Sequence, residues 1–207
     1  MRKYLMAAAL GAMALAGAGG ASAAVIFETG ADGPANQNVD WVEEAVGNGD
    51  NTIMGVINGT TVGVKAVSNE DLKTTGNGGV VWITGNDNTL RTLTYSLVGY
   101  SFASFEVDLK DPTGNNPTWE VTFETDNGST QTFTNFNGGF ISAYTDDGSH
   151  IKTVSFATNA DISGTGQTRF GGLQADAVPE PGTWALMIAG FGGVGAMLRR
   201  RREALAG

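Results

Sequence analysis

The residues in this 207-residue sequence whose spacing best suits acid–base chemistry are two pairs of carboxylates. Glu106 and Asp108 stand two apart in the run FEVDLK. In a strand that spacing puts both on one face about 7 Å apart, a separation that a pair of glycosidase carboxylates can use. Glu120 and Glu124, in the run WEVTFE, also share a face but lie about 13 Å apart, beyond either glycosidase geometry. In both runs apolar residues fill the alternate positions: Phe105, Val107 and Leu109 in the first, Trp119, Val121 and Phe123 in the second. Acids alternating with apolar residues are the usual water-facing side of a half-buried strand. The runs are therefore read as strands, and no catalytic residue is assigned.

Nucleophilic and soft-metal chemistry is more firmly closed off. The sequence has no cysteine and a single histidine, His150. Disulfides, thiolate metal sites, a cysteine nucleophile and multi-histidine zinc sites are all excluded. His150 follows Gly148-Ser149 in a turn, and without a G-x-S-x-G elbow it is read as a surface turn histidine. Phosphate-loop and dinucleotide fingerprints are absent. Hard oxygen ligands remain, in Asp146-Asp147-Gly148, in Asp108 with Asp111 and Asn115, and in Asp32 with Asn36 and Asn38. Calcium is the metal such loops suit, but none follows the EF-hand pattern, and Asp and Asn also make turns by bonding their own backbone. No cofactor is expected, and no calcium ligand set is assigned. Trp41, Trp82, Trp119, Tyr95, Tyr100 and Tyr144 include candidates for a sugar-stacking ring. A domain without disulfides needs most of them in its core, Trp119 among them.

The elements that must carry these residues are short. Gly, Asn, Asp, Ser and Thr recur at close intervals from Gly47 to Ser149, separating brief runs rich in β-branched and aromatic residues. Such spacing predicts strands joined by tight turns. Besides the two acidic runs, strands are expected over Thr52 to Ile57, Val62 to Val67, Val80 to Thr84, Leu90 to Leu97, Gln131 to Phe136, Phe140 to Tyr144, Ile151 to Ala157 and Thr168 to Ala175. Asn58-Gly59 and Asn127-Gly128 suit hairpin turns, because both residue types tolerate positive φ. A short helix is expected over Val39 to Val46. The economical architecture is all-β: an antiparallel β-sandwich, jelly-roll-like, with two sheets packed face to face. No repeat of fixed period points to a solenoid or propeller.

Both ends of the chain read as addresses. Met1-Arg2-Lys3, the apolar stretch Tyr4 to Ala18 and the small-residue pattern Ala21-Ser22-Ala23 make residues 1–23 a secretory signal peptide, cleaved between Ala23 and Ala24. Its expected handlers are the Sec translocon and signal peptidase. At the other end, Pro179-Glu180-Pro181 cannot be helical and is extended and exposed. Thr183 to Leu198 then runs 16 residues without a charge. As a helix that is about 24 Å, against a hydrocarbon core of about 30 Å, so it is a short single-pass transmembrane helix. Trp184 sits where an interfacial anchor would, and Arg199, Arg200, Arg201 and Arg202 hold the far end cytoplasmic, followed by a tail over 203–207.

Pro-Glu-Pro, Trp184 three residues on, Ala185, Met187, Gly190-Phe191-Gly192 and the arginine cluster together resemble the PEP-CTERM sorting signal in its PEPxxWA form, over residues 179–202. The resemblance implies export by a Gram-negative cell and processing by an exosortase, a membrane-embedded cysteine protease-like transpeptidase. Pro179, Glu180 and Pro181 would then be the recognition element and Arg199 to Arg202 the retention element. The strand layout also resembles, diffusely, the β-sandwich ectodomains that precede this signal.

Between these ends lies one exported domain, residues 24–178. It holds 19 acids against six bases, a net of −13 within a whole chain of −9. That surface argues against nucleic acid as a partner. The sequence thus points to an exported envelope or extracellular-matrix protein, passing through the inner membrane as a transient single-pass intermediate. Its domain is expected to be structural or carbohydrate-binding and not enzymatic. The alternative is a secreted polysaccharide-active hydrolase or lyase.

Overall fold

The structure is a computed structural model that describes residues 24–31, 33–42, 50–77, 80–111, 119–177 and 186–192. Fifteen strands are named among them: β1 (Ile26–Thr29), β2 (Gln37–Trp41), β3 (Thr52–Ile57), β4 (Gly63–Val67), β5 (Leu72–Asn77), β6 (Val80–Gly85), β7 (Leu90–Leu97), β8 (Tyr100–Ser101), β9 (Ser104–Leu109), β10 (Trp119–Thr125), β11 (Thr130–Phe136), β12 (Gly139–Tyr144), β13 (Thr153–Ile162), β14 (Thr165–Gly171) and β15 (Gln174–Ala175). Every pairing between them is antiparallel. Nine of the ten strands expected from the sequence are present; the tenth, Thr168 to Ala175, is split into the end of β14 and β15, which pair with different strands, and β1, β2, β5 and β8 are additional.

The two layers expected to pack face to face are joined into one antiparallel sheet. One hydrogen-bonded ladder runs β1-β12-β9-β14-β2-β3-β4-β7-β13-β10-β11. Its corner is β2. Gln37 and Asn38 pair with Phe170 and Arg169 of β14, whereas Val39, Asp40 and Trp41 pair with Ile57, Val56 and Gly55 of β3. The strand thus leaves one layer for the other between Asn38 and Val39, as strands do where a folded sheet turns a corner. Tight turns keep β3 beside β4 and β10 beside β11, whereas from β11 onward the chain crosses from one layer to the other at each step, β11 to β12, β12 to β13 and β13 to β14. Gly59 and Gly128 sit in those two turns at φ 74° and 84°, whereas Asn58 and Asn127 are not at positive φ, so the turns form where expected but use the glycine alone for that conformation. Facing layers are therefore two halves of one sheet that nearly closes on itself. Phe27 of β1, the first strand of the ladder, lies 6.3 Å from Phe123 of β10.

The same corner corrects the expected helix. Val39 and Trp41 turn inward while Asp40 is exposed, a strand period, and the segment from residue 43 to residue 49 lies outside the described residues. Trp41 can lie flat on β3 because its partner is Gly55, where a Cβ would come within 2.7 Å of the indole.

Aromatic rings from both layers meet in the core. Tyr95 of β7 stands 5.0 Å from Phe105 of β9, and Phe105 stands 5.3 Å from Phe170 of β14. Tyr95 also bonds across the layers, its hydroxyl 2.8 Å from Thr165 Oγ1. Burial pushes this phenol up from its ordinary value of about 10. A raised folded-state pKa means stability that is present below about pH 10 and lost as pH climbs toward the folded value. We expect the melting temperature to fall between pH 10 and 11.5, and Tyr95→Phe to flatten that fall while losing about 1 kcal/mol at neutral pH. Parallel melting curves of the two proteins that keep the same alkaline slope would refute this.

Candidate functional site

Acidic positions singled out in the sequence separate into two environments. Glu120 and Glu124 are exposed on β10, with Trp119, Val121 and Phe123 buried between them, as the alternation predicts. Glu106 and Asp108 behave differently: their relative exposures are 0% and 8%. The whole of β9 is buried on both faces. It lies between β12 and β14, and the segment around Gly33 crosses its outer face, so that a Cβ at Gly33 would come within 3.6 Å of Glu106 Oε2. The water-facing reading of these two acids is thus overturned by a cover the alternation does not encode.

Each of the two buried acids is given a cation. Arg169 donates from Nη1 to Glu106 Oε1, and Lys110 donates to Asp108. The Ser142 hydroxyl is shared between Glu106 Oε2 at 3.3 Å and the Gly30 carbonyl at 3.1 Å. Lys110 also lies over the Trp82 ring, 3.9 Å from its centroid, and Arg169 lies 5.2 Å from that of Phe140. Carboxylates held this way are committed to internal ion pairs, the arrangement that buried charges need.

Arg169 extends the arrangement to the surface. Its Nε donates to Asn38 Oδ1 at 3.1 Å and its Nη2 to Gln167 Oε1 at 3.4 Å. Asn38, Asp40, Asn58, Val81, Gln167 and Arg169 line a cleft of about 310 Å3 at the corner where β2 changes layers. Sequence reading missed this cleft; Asn38 and Arg169 are 131 positions apart.

The proposed oxygen-ligand loops are used locally. Asp147 Oδ1 accepts the Ser149 N–H at 3.0 Å, and Gly148 takes φ 79° beside it. That bonding from Ser149 holds the Asp147 carboxyl below its ordinary range. Asp108 is paired with Lys110, Asn38 is bonded by Arg169, and Asn36 and Asp111 are exposed. Asp32 and Asn115 lie outside the described residues. Among the described residues no group of three or more His, Cys, Asp or Glu side chains is placed to hold a metal ion. A second acidic hollow, about 360 Å3 and lined by Glu70, Asp71, Asn86 and Asp87, is likewise tied to its own chain. Glu70 accepts the Arg91 N–H and Asp87 accepts the Thr89 N–H and hydroxyl. Nearby, Arg91 is paired with Asp161, whose carboxyl the guanidinium holds below its ordinary range. His150 is half-buried just after the Asp146–Ser149 turn.

Of the candidate stacking rings, Trp41, Trp119 and Tyr95 are buried, while Trp82, Tyr100 and Tyr144 are half-buried. The sorting residues Pro179, Glu180, Pro181, Trp184 and Arg199 to Arg202 lie outside the described residues, as do Ala21 and Ala23, whereas Ala24 is described and exposed. Residues 186–192 form a short helix in which Leu186 and Phe191 are 76% and 75% exposed. Among the described residues no helix is long and apolar enough to cross a membrane.

No curated protein and no solved structure matches the chain. A family model does match, over residues 177–202, beginning two residues after β15 ends. That match supports sorting by an exosortase and export as the fate of the protein. The family it describes is the PEP-CTERM protein-sorting motif, and this chain carries that motif at its C-terminal end.

Proposed function

We propose that the protein is exported through the general secretory route, held in the inner membrane by its C-terminal tail, and released or transferred by an exosortase to the cell envelope or extracellular matrix. The β-domain, residues 24–178, is then a non-enzymatic cargo with a structural or carbohydrate-binding role. The observation that carries the reading is the sorting motif at residues 177–202, placed directly after the last strand. The helix at 186–192 supports it. Leu186, Met187, Ile188 and Phe191 are all exposed, and apolar side chains without protein partners gain most by entering a lipid phase.

Mass spectrometry of the mature C-terminus from cells with an active exosortase tests the reading. The expected product ends near Pro179 to Pro181 and lacks Arg199 to Arg202. Mature protein that keeps all four arginines would sink it. The carbohydrate-binding role draws its support from the polar cleft at the β2 corner and from the commitment of Glu106 and Asp108 to ion pairs.

A further inference from the structure

We infer that the cleft at the β2 corner is a binding site for a neutral saccharide, an inference that rests on the carbohydrate-binding reading above and gives it a location and a ligand class. Three features of the cleft lead there. The first is backbone strain. β14 carries an irregularity between Gly166 and Arg169 where it pairs with β9, and Gln167 within it has φ 40°. The other non-glycine residues with positive φ among the described residues are Asn88 and Asn135. Asparagine tolerates that region through its short polar side chain, whereas glutamine has no such excuse. Strain of this kind costs energy and persists where the surroundings over-determine it, commonly at ligand sites. Here its result is to turn Gln167 outward, exposed, at the cleft.

The second feature is fixed donor direction. A guanidinium carries donors alone, so the Asn38 and Gln167 amides that it bonds must present their oxygens to it. Their NH2 groups are thereby directed away from Arg169. Arg169 in turn is anchored by Glu106, which is fully buried. A chain of bonds from the interior thus orients two surface amides before any ligand arrives, the preorganisation that limits the entropic cost of binding.

Charge is the third. The Arg169 guanidinium is matched by Glu106, which leaves Asp40 as the uncompensated charge of the lining. An anionic ligand is disfavoured. What fits is a ligand whose groups both donate and accept, for the amides and the Asp40 carboxylate that line the cleft, with an apolar face to set against Val81. A neutral pyranose has vicinal hydroxyls and a ring face of C–H groups. The volume, about 310 Å3, is at the low end for ligand clefts, so a short stretch of chain is held.

The test uses the full chain, purified in detergent with its tail, and isothermal titration calorimetry. The probes are cellohexaose, laminarihexaose and mannohexaose, with hexagalacturonate as the anionic comparison. Two variants accompany the wild type. Gln167→Gly removes an amide and supplies the residue best suited to positive φ, so its melting temperature is expected to hold or rise. Asn58→Ala removes a second, exposed amide. At least one neutral hexaose is expected to bind, and each variant to weaken it about tenfold, the loss of one hydrogen bond. If a neutral hexaose binds wild type and both variants equally, the cleft is the wrong site while the carbohydrate-binding reading stands. If no neutral hexaose binds, both fall. Tighter binding of hexagalacturonate than of every neutral probe overturns the ligand class.

Discussion

Arg169→Ala is expected to destabilise the β-domain by about 3 to 5 kcal/mol, because it strands a fully buried carboxylate. Glu106 has no exposure, and besides Arg169 its polar partner is the Ser142 hydroxyl, which the Gly30 carbonyl also claims. Removing the cation leaves the desolvation of Glu106 uncompensated. It also releases the Asn38 and Gln167 amides, and with Asn38 the side-chain bond that joins β14 to β2 at the corner of the sheet. The pair itself need not contribute much. Replacing both members with apolar residues of similar size removes the charge together with its cost, and such replacements are often neutral or favourable. Urea unfolding should therefore rank Arg169→Met with Glu106→Met well above Arg169→Ala alone. A single substitution that costs under about 1 kcal/mol, the range of an exposed pair, would show that water reaches Glu106 in solution.

That buried pair marks the limit of what alternation can reveal. The period-2 pattern of β10 and that of β9 are indistinguishable in sequence, yet one polar face meets water and the other meets the chain. The pattern reports which positions share a face; what covers the face is decided by a segment some 70 residues earlier, around Gly33. Strands bounded by Gly, Asn and Asp turns were legible because turn chemistry is local. β5 was not, since LKTTGN lacks alternation and is held by its register with β6. The helix expected from Val39 onward gave way for a related reason: Val39 and Trp41 share a face only in a strand, and pairing with β3 holds them there.

Sites follow the same division. The C-terminal motif was readable from Pro179, Trp184 and the arginines because a processing enzyme recognises it as contiguous sequence, with no fold required. The cleft was unreadable, since Asn38, Asn58 and Gln167 become neighbours through the ladder order β14-β2-β3. A glutamine between Gly166 and Thr168 gives no sign that it sits at positive φ. The acids, by contrast, invited a catalytic reading and turned out to be internal ion pairs. Here the sequence placed both carboxylates and Lys110 on one face and left Arg169 to be supplied by the fold.

Phe105→Ala should rank among the most costly substitutions in the core, at about 3 to 5 kcal/mol. The ring is fully buried on β9 and touches three others: Tyr95 at 5.0 Å, Phe170 at 5.3 Å and Phe102 at 6.3 Å. Tyr95 belongs to the facing layer, so the cavity would open where the two halves of the sheet are held together. Neither layer can close it alone, because β9 is fixed by β12 on one side and β14 on the other. At this chain length the loss corresponds to a fall in melting temperature of about 6 to 20 °C. Phe133→Ala is the control. That ring is half-buried on β11, the last strand of the ladder, with Phe123 and Phe136 beyond 6 Å. Its edge position lets neighbouring side chains and water fill the space, and about 1 kcal/mol is expected. Equal midpoints for the two variants in urea would mean that the aromatic cluster around Phe105 does not couple the layers.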